Sequence, residues 1–91
     1  MFFAISYDIG DDRRRIKVAK VLKDFGERIQ LSVFEANIEE AQLERLRERV
    51  NEILDHEEDT LRIYPLCAAC VSKVEIIGQG VLSQDPDFVI I

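Results

Sequence analysis

Asp8 closes the apolar run MFFAISYD, and Asp11, Asp12, Arg13, Arg14 and Arg15 follow almost at once. A carboxylate at a strand end beside clustered cations suits three kinds of chemistry. It can form a turn or cap a helix. It can contribute to a metal site, although one carboxylate holds Mg²⁺ poorly, because the ion wants octahedral oxygen coordination shared with waters and phosphates. It can also border a phosphate site, since helix N-terminal amides and arginines both attract phosphate. Two-fold symmetry changes the metal count. Two copies of Asp8 at an axis would give two carboxylates from one residue per chain, enough to support metal-dependent phosphodiester cleavage.

The three arginines occupy the first turn of the helix that the pattern predicts. The helix dipole is positive there, and each cation is disfavoured by about 0.3–1 kcal/mol. Such a breach of a local rule points to function. A solvated basic face paired with Asp11, Asp12 and Asp24 is the plainer reading. Cys67 and Cys70 form C-x-x-C, but a structural zinc needs four ligands and His56 is the only histidine. Two thiols without a metal are the expectation, and His56, among Asp55, Glu57, Glu58 and Asp59, is given no role. Among the aromatics, Phe34 lies near Arg28 in sequence, the condition for stacking on a single strand. Phe2, Phe34 and Tyr64 all read as core or interface before they read as stacking platforms.

The elements that must place these groups follow from periodicity. In FFAISYDI, Phe3, Ile5 and Tyr7 alternate with Ala4, Ser6 and Asp8, a half-buried strand. Asp11 or Asp12 suits an N-cap. Val18, Val21, Leu22 and Phe25 make a helical stripe, and Gly26 sits where a helix stop belongs. In RIQLSVFEANI the apolar positions change parity, which predicts a bend, bulge or break near Ser32–Phe34. EEAQLERLRERVNEIL is a second helix with Leu43, Leu46, Val50 and Ile53 inward. TLRIYPL is a strand with Leu61 and Ile63 inward, CAACVS a short turn or helical turn, KVEIIG another strand, and FVII a short last strand. Mixed elements with short connections predict one sheet covered on one face by two helices.

Ninety-one residues make one domain with a marginal core, for which oligomerisation is a common remedy. The net charge of −6 argues against a general nucleic-acid coat. The charge is uneven, however. Up to residue 35 there are seven Lys/Arg against six acids; after it, five against twelve. A local basic face suffices for phosphate binding. The start carries no basic region and long apolar stretch of a signal peptide, and no run approaches a membrane span, so a cytoplasmic location without membrane contact is expected.

YDIGDDRRRIKVAKVLKDFGERIQLSVFEANI resembles the N-terminal signature of the CRISPR-associated protein 2 family, and TLRIYPLC and KVEIIGQG fit it too. The order and spacing of these motifs carry the resemblance over nearly the whole chain. It implies an α/β (α+β) fold: a ferredoxin-like βαββαβ sandwich, with an antiparallel sheet, two helices on one face and a short C-terminal strand. It implies one domain over residues 1–91 and a homodimer, with residues 88–91 exchanged to the partner's sheet. It further implies a role in CRISPR adaptation, with the dimer between integrase subunits holding duplex DNA. Some members resemble Mg²⁺- or Mn²⁺-dependent nucleases acting on single-stranded RNA or duplex DNA; others resemble adaptors without catalysis. By position, Asp8 is the metal carboxylate, and Tyr7, Arg15 and Arg28 belong with it in the catalytic set. Arg13, Arg14, Arg15, Lys17, Arg28 and Phe34 are the implied nucleic-acid contacts. Lys17 stands where some members carry arginine, and lysine keeps the charge without the bidentate fork. Against catalysis, no His or Lys is an evident general base.

Overall fold

The computed structural model describes residues 1–82. Strand β1 (Phe2–Asp8) leads into helix α1 (Asp12–Lys23), and strands β2 (Glu27–Gln30) and β3 (Val33–Asn37) form a hairpin. Helix α2 (Glu40–Ile53), strand β4 (Thr60–Leu66) and the short helix α3 (Ala68–Val71) follow. The sheet order is β2-β3-β1-β4 with every neighbouring pair antiparallel, so β1 lies inside the sheet. This is the expected βαββαβ arrangement.

Alternation along β1 sorts the two faces. Phe3, Ile5 and Tyr7 are buried against the helices with Val18, Leu22, Leu43, Leu46 and Val50. Ala4 and Ser6 are only half-buried and Asp8 is exposed on the other face. Ile5 sits opposite both Phe34 and Ile63, which places the β3 and β4 core residues in one layer. Phe2 points to the open side and packs with Leu66, Val71 and Leu82, so α3 covers only that end of the face.

Asp11 is the N-cap of α1, its side chain accepting from the Arg14 amide at 2.9 Å. Gln42 Oε1 accepts from the Glu39 amide at 2.9 Å at the start of α2. Arg49 bonds Asp24 at 2.9 Å and lies 5.7 Å from the Phe25 ring centroid, joining the end of α1 to α2.

Three expectations need revision. The parity change in RIQLSVFEANI is resolved by a turn at Leu31–Ser32 together with a register shift between Arg28 and Gln30, so the irregularity lies mostly earlier than Ser32–Phe34. α1 does stop just before Gly26, at Lys23, but not through a left-handed glycine, since among the described residues only Gly78 and Gly80 have positive φ. A Cβ on Gly26 would lie 2.1 Å from the Glu35 carbonyl oxygen; its role is to let the start of β2 approach the β3 backbone. KVEIIG pairs with no strand among the described residues. Ile77 is 96% exposed, Ile76 is exposed as well, and Gly78 turns at φ 101, so this segment neither joins a ladder nor buries its apolar side chains among the described residues. The expected FVII strand, with its exchange of residues 88–91, lies outside the described residues. No helix among the described residues is long and apolar enough to cross a membrane.

The Gly26 contact is with backbone, which cannot swing aside as a flexible side chain would. Gly26→Ala is expected to destabilise the fold by about 1–3 kcal/mol, the range for overpacking a close contact. A urea unfolding curve of the variant beside the parent measures it.

Candidate nucleic-acid interface

The candidate residues separate onto two faces. On the open face, Asp8 ends β1 opposite Thr60, and Ser6 lies opposite Arg62. With Tyr7 they line a recess of about 230 Å³. The polar side chains that line it from the open face are one carboxylate, two hydroxyls and one guanidinium. A divalent cation is not satisfied by that set, and among the described residues no three His, Cys, Asp or Glu side chains gather as ligands. The described residues of one chain therefore gather no set of ligands for a divalent cation.

Tyr7 points the other way. Its ring is 5% exposed, its hydroxyl donates to the Leu31 carbonyl at 3.0 Å, and Arg28 Nη2 donates to that hydroxyl at 3.2 Å. The guanidinium of Arg28 also lies 5.3 Å from the Phe34 ring centroid, within cation–π range. Phe34 is 0% exposed. It cannot stack on a base: the expected nucleic-acid contact is a core side chain that supports Arg28. Asp8 and the Tyr7–Arg28 pair thus lie on opposite sides of the sheet, and the expected catalytic set of Asp8, Tyr7, Arg15 and Arg28 does not converge within one chain.

The arginine run divides as well. Arg14 is engaged within the chain. Its Nε donates to Asp59 Oδ2 at 2.7 Å, and Nη2 reaches Asp59 Oδ1 and Glu58 Oε2, both at 3.3 Å. The Asp59 side chain is shielded from solvent and also accepts from the Asp55 amide at 2.9 Å. This staple fixes the start of α1 to the α2–β4 loop. The Arg14 hydrogen bond holds the Asp59 carboxyl below its usual range, and Asp59 in turn raises the pKa of Arg14.

Arg15 pairs with Asp12 and donates through Nη1 to the carbonyls of Ile9 at 3.1 Å and Gly10 at 3.5 Å, shaping the β1–α1 turn. Arg13 and Lys17 are exposed on α1. Between α1 and the β2–β3 turn lies a groove of about 590 Å³ lined by Arg15, Ile16, Ala19, Lys20, Lys23, Arg28, Leu31 and Ser32. Four of these are cations and none is acidic. A groove of this composition suits a polyanion backbone.

Residues 1–74 match the family described as CRISPR associated protein Cas2. The chain belongs to the Cas2 family. It is 49% identical over 81 residues to CRISPR-associated endoribonuclease Cas2 1 of Chloroflexus aurantiacus, covering 88% of this chain and 87% of the relative. The crystal structure of Streptococcus pyogenes Cas2 at pH 6.5 superposes with a TM-score of 0.76 at 31% identity, over 86% of this chain and 100% of that one. A chain of a partial Cas6-RT-Cas1–Cas2 complex superposes with a TM-score of 0.73 at 28% identity, over 84% and 89% of the two chains. The Cas2 resemblance read from the motifs is confirmed, as is the fold it implied.

Lys20 and Lys23 belong to the early basic cluster that the sequence offers as a phosphate face but were left out of the implied contacts; helical spacing from Ile16 was the signal for their shared side. Reasoning from sequence missed Arg62. Arg62 belongs to the Asp8 recess. With Leu61 and Ile63 inward, Thr60, Arg62 and Tyr64 had to face outward beside the Asp8 face of β1.

The low pKa of Asp59 sets a pH window. A carboxylate whose folded pKa lies below its unfolded value adds stability above the unfolded value, near 3.8, and loses it as pH falls through the folded value. Asp59→Asn should therefore be less stable than the parent at neutral pH, with the difference shrinking as pH drops below about 4. Urea midpoints across that range check the sign; a constant difference would contradict it.

Proposed function

We propose that this Cas2-family chain acts as a homodimer in CRISPR adaptation, binding nucleic-acid backbone and bridging integrase subunits in the cytoplasm. The groove of Arg15, Lys20, Lys23 and Arg28 carries the reading: it gathers four cations with no acidic lining side chain on a chain of net charge −6. Contacts of this kind bind phosphate without reading sequence. The relative in a Cas1–Cas2 complex supports the integrase partner. Duplex DNA is the expected ligand, with single-stranded RNA as the second.

The exposed side chains of Ile76, Ile77 and Val81 support the second copy. The segment they occupy borders, with Ile29, Gln30 and Glu35, a cavity of about 410 Å³. Apolar groups clustered beside an open sheet mark an interaction surface. In the proposed dimer that surface is covered and the two Asp8 recesses meet across the two-fold axis.

A second activity, phosphodiester cleavage, is favoured by the name of the Chloroflexus relative, an endoribonuclease, and by the exposure of Asp8. Asp8 from each copy would hold Mg²⁺ or Mn²⁺, which supplies Lewis acidity and an activated water. The groove cations would hold the flanking backbone. Tyr7, enclosed and bonded to Leu31 and Arg28, would act as a positioning residue.

Two measurements test these readings. In a duplex-binding titration against salt, Lys20→Ala/Lys23→Ala should weaken affinity and lower the log–log salt slope by about two, near one per lost phosphate contact. An unchanged slope would remove the groove from the interface. Cleavage of labelled RNA and duplex DNA with Mg²⁺ or Mn²⁺ titrated in should vanish with Asp8→Asn while binding persists. Cutting that survives the substitution would displace the site, and no cutting by either protein would leave backbone binding as the function.

A further inference from the structure

The two-faced arrangement leaves the Asp8 recess without the cations assigned to it from sequence. Arg14 is held by Asp59, Arg15 by Asp12 and the Ile9 carbonyl, and Arg28 by Tyr7 on the far side of the sheet. Any nucleic acid approaching Asp8 also meets the charge of that carboxylate, so a recess that takes phosphate needs a cation of its own. Arg62 is the one cation lining the recess.

We infer that Arg62 is the phosphate-holding residue of the Asp8 recess, gripping the backbone of the nucleic acid that the chain binds. The inference rests on the nucleic-acid reading above and extends it to the open face. Register supplies the geometry. Arg62 pairs with Ser6 and Thr60 pairs with Asp8, so Arg62 and Asp8 are diagonal neighbours on one face of adjacent antiparallel strands. Diagonal neighbours lie about 7–8 Å apart, wide enough for a phosphate between the two side chains. Among the described residues no ion pair joins Arg62 to Asp8. The guanidinium is exposed, and its one hydrogen bond, to Tyr64 Oη at 3.4 Å, is long. Tyr64 steadies the side chain along the strand and leaves most of its five donors for a ligand. An arginine fork meets two phosphate oxygens at once, which a lysine cannot do.

The test is duplex DNA binding by the full chain across a salt titration, comparing the parent, Arg62→Ala, Arg62→Lys and Lys20→Ala/Lys23→Ala. Sedimentation and urea unfolding of each variant accompany it. Arg62→Ala is expected to weaken binding about tenfold, the loss of one charge-assisted contact, and to lower the salt slope by about one. Arg62→Lys should keep the slope and recover only part of the affinity. Arg62→Ala binding like the parent, while the groove variant binds weakly, would overturn this inference and leave the groove reading standing. A loss of affinity that tracks dissociation of the dimer would also overturn it, because Arg62 would then hold protein. No binding by the parent would overturn both.

Discussion

Strand β1 has one side chain set that must be buried and one that must not, and its antiparallel register with β3 and β4 fixes both neighbours to that choice. Burying Phe3, Ile5 and Tyr7 sends Asp8 to the open face. A slip of one residue would reverse every side chain. The same constraint carries Phe34 into the core opposite Ile5 and brings Arg62 beside Asp8. The separation of a cationic groove on the helix side from a carboxylate recess on the open side follows from this parity.

The charges near the start of α1 have correspondingly different duties. Two of the three arginines that strain the helix dipole are offset by local acids: Arg14 by Asp59 and Glu58, Arg15 by Asp12. They anchor the turn and the neighbouring loop. Arg15 also borders the groove, whose other cations come from further along α1 and from β2. A run of arginines is thus a weaker guide to a binding surface than the side of the helix on which each charge falls.

Much of the fold was readable because the periodic segments were long. The stripes of α1 and α2 and the alternation of β1 and β4 appear where the pattern placed them. The Asp11 cap follows from the same logic. The irregular parts were harder for physical reasons. Gly26 is required by a backbone approach between residues distant in sequence, which no local propensity reveals. Apolar content alone made KVEIIG look like a strand, yet a strand needs a partner, and among the described residues this segment pairs with none. Periodicity read Phe34 as core or interface and the family resemblance made it a nucleic-acid contact; it lies beneath Arg28 inside the core, as the first reading had it. Of the site, the sequence made Asp8 visible but not the side of the sheet it would share with Arg62.

A single Asp8 does not make a metal centre, and the uncovered end of the open face does not make a finished surface. Both deficits are met by the proposed two-fold pairing of open faces. The most direct measurement places a thiol at the axis: Asp8→Cys in a chain that also carries Cys67→Ser and Cys70→Ser, mildly oxidised and run under non-reducing conditions. The account predicts a covalent dimer that reduction returns to single chains. A protein that sediments as a dimer yet forms no Cys cross-link would contradict the claim that two copies meet around residue 8.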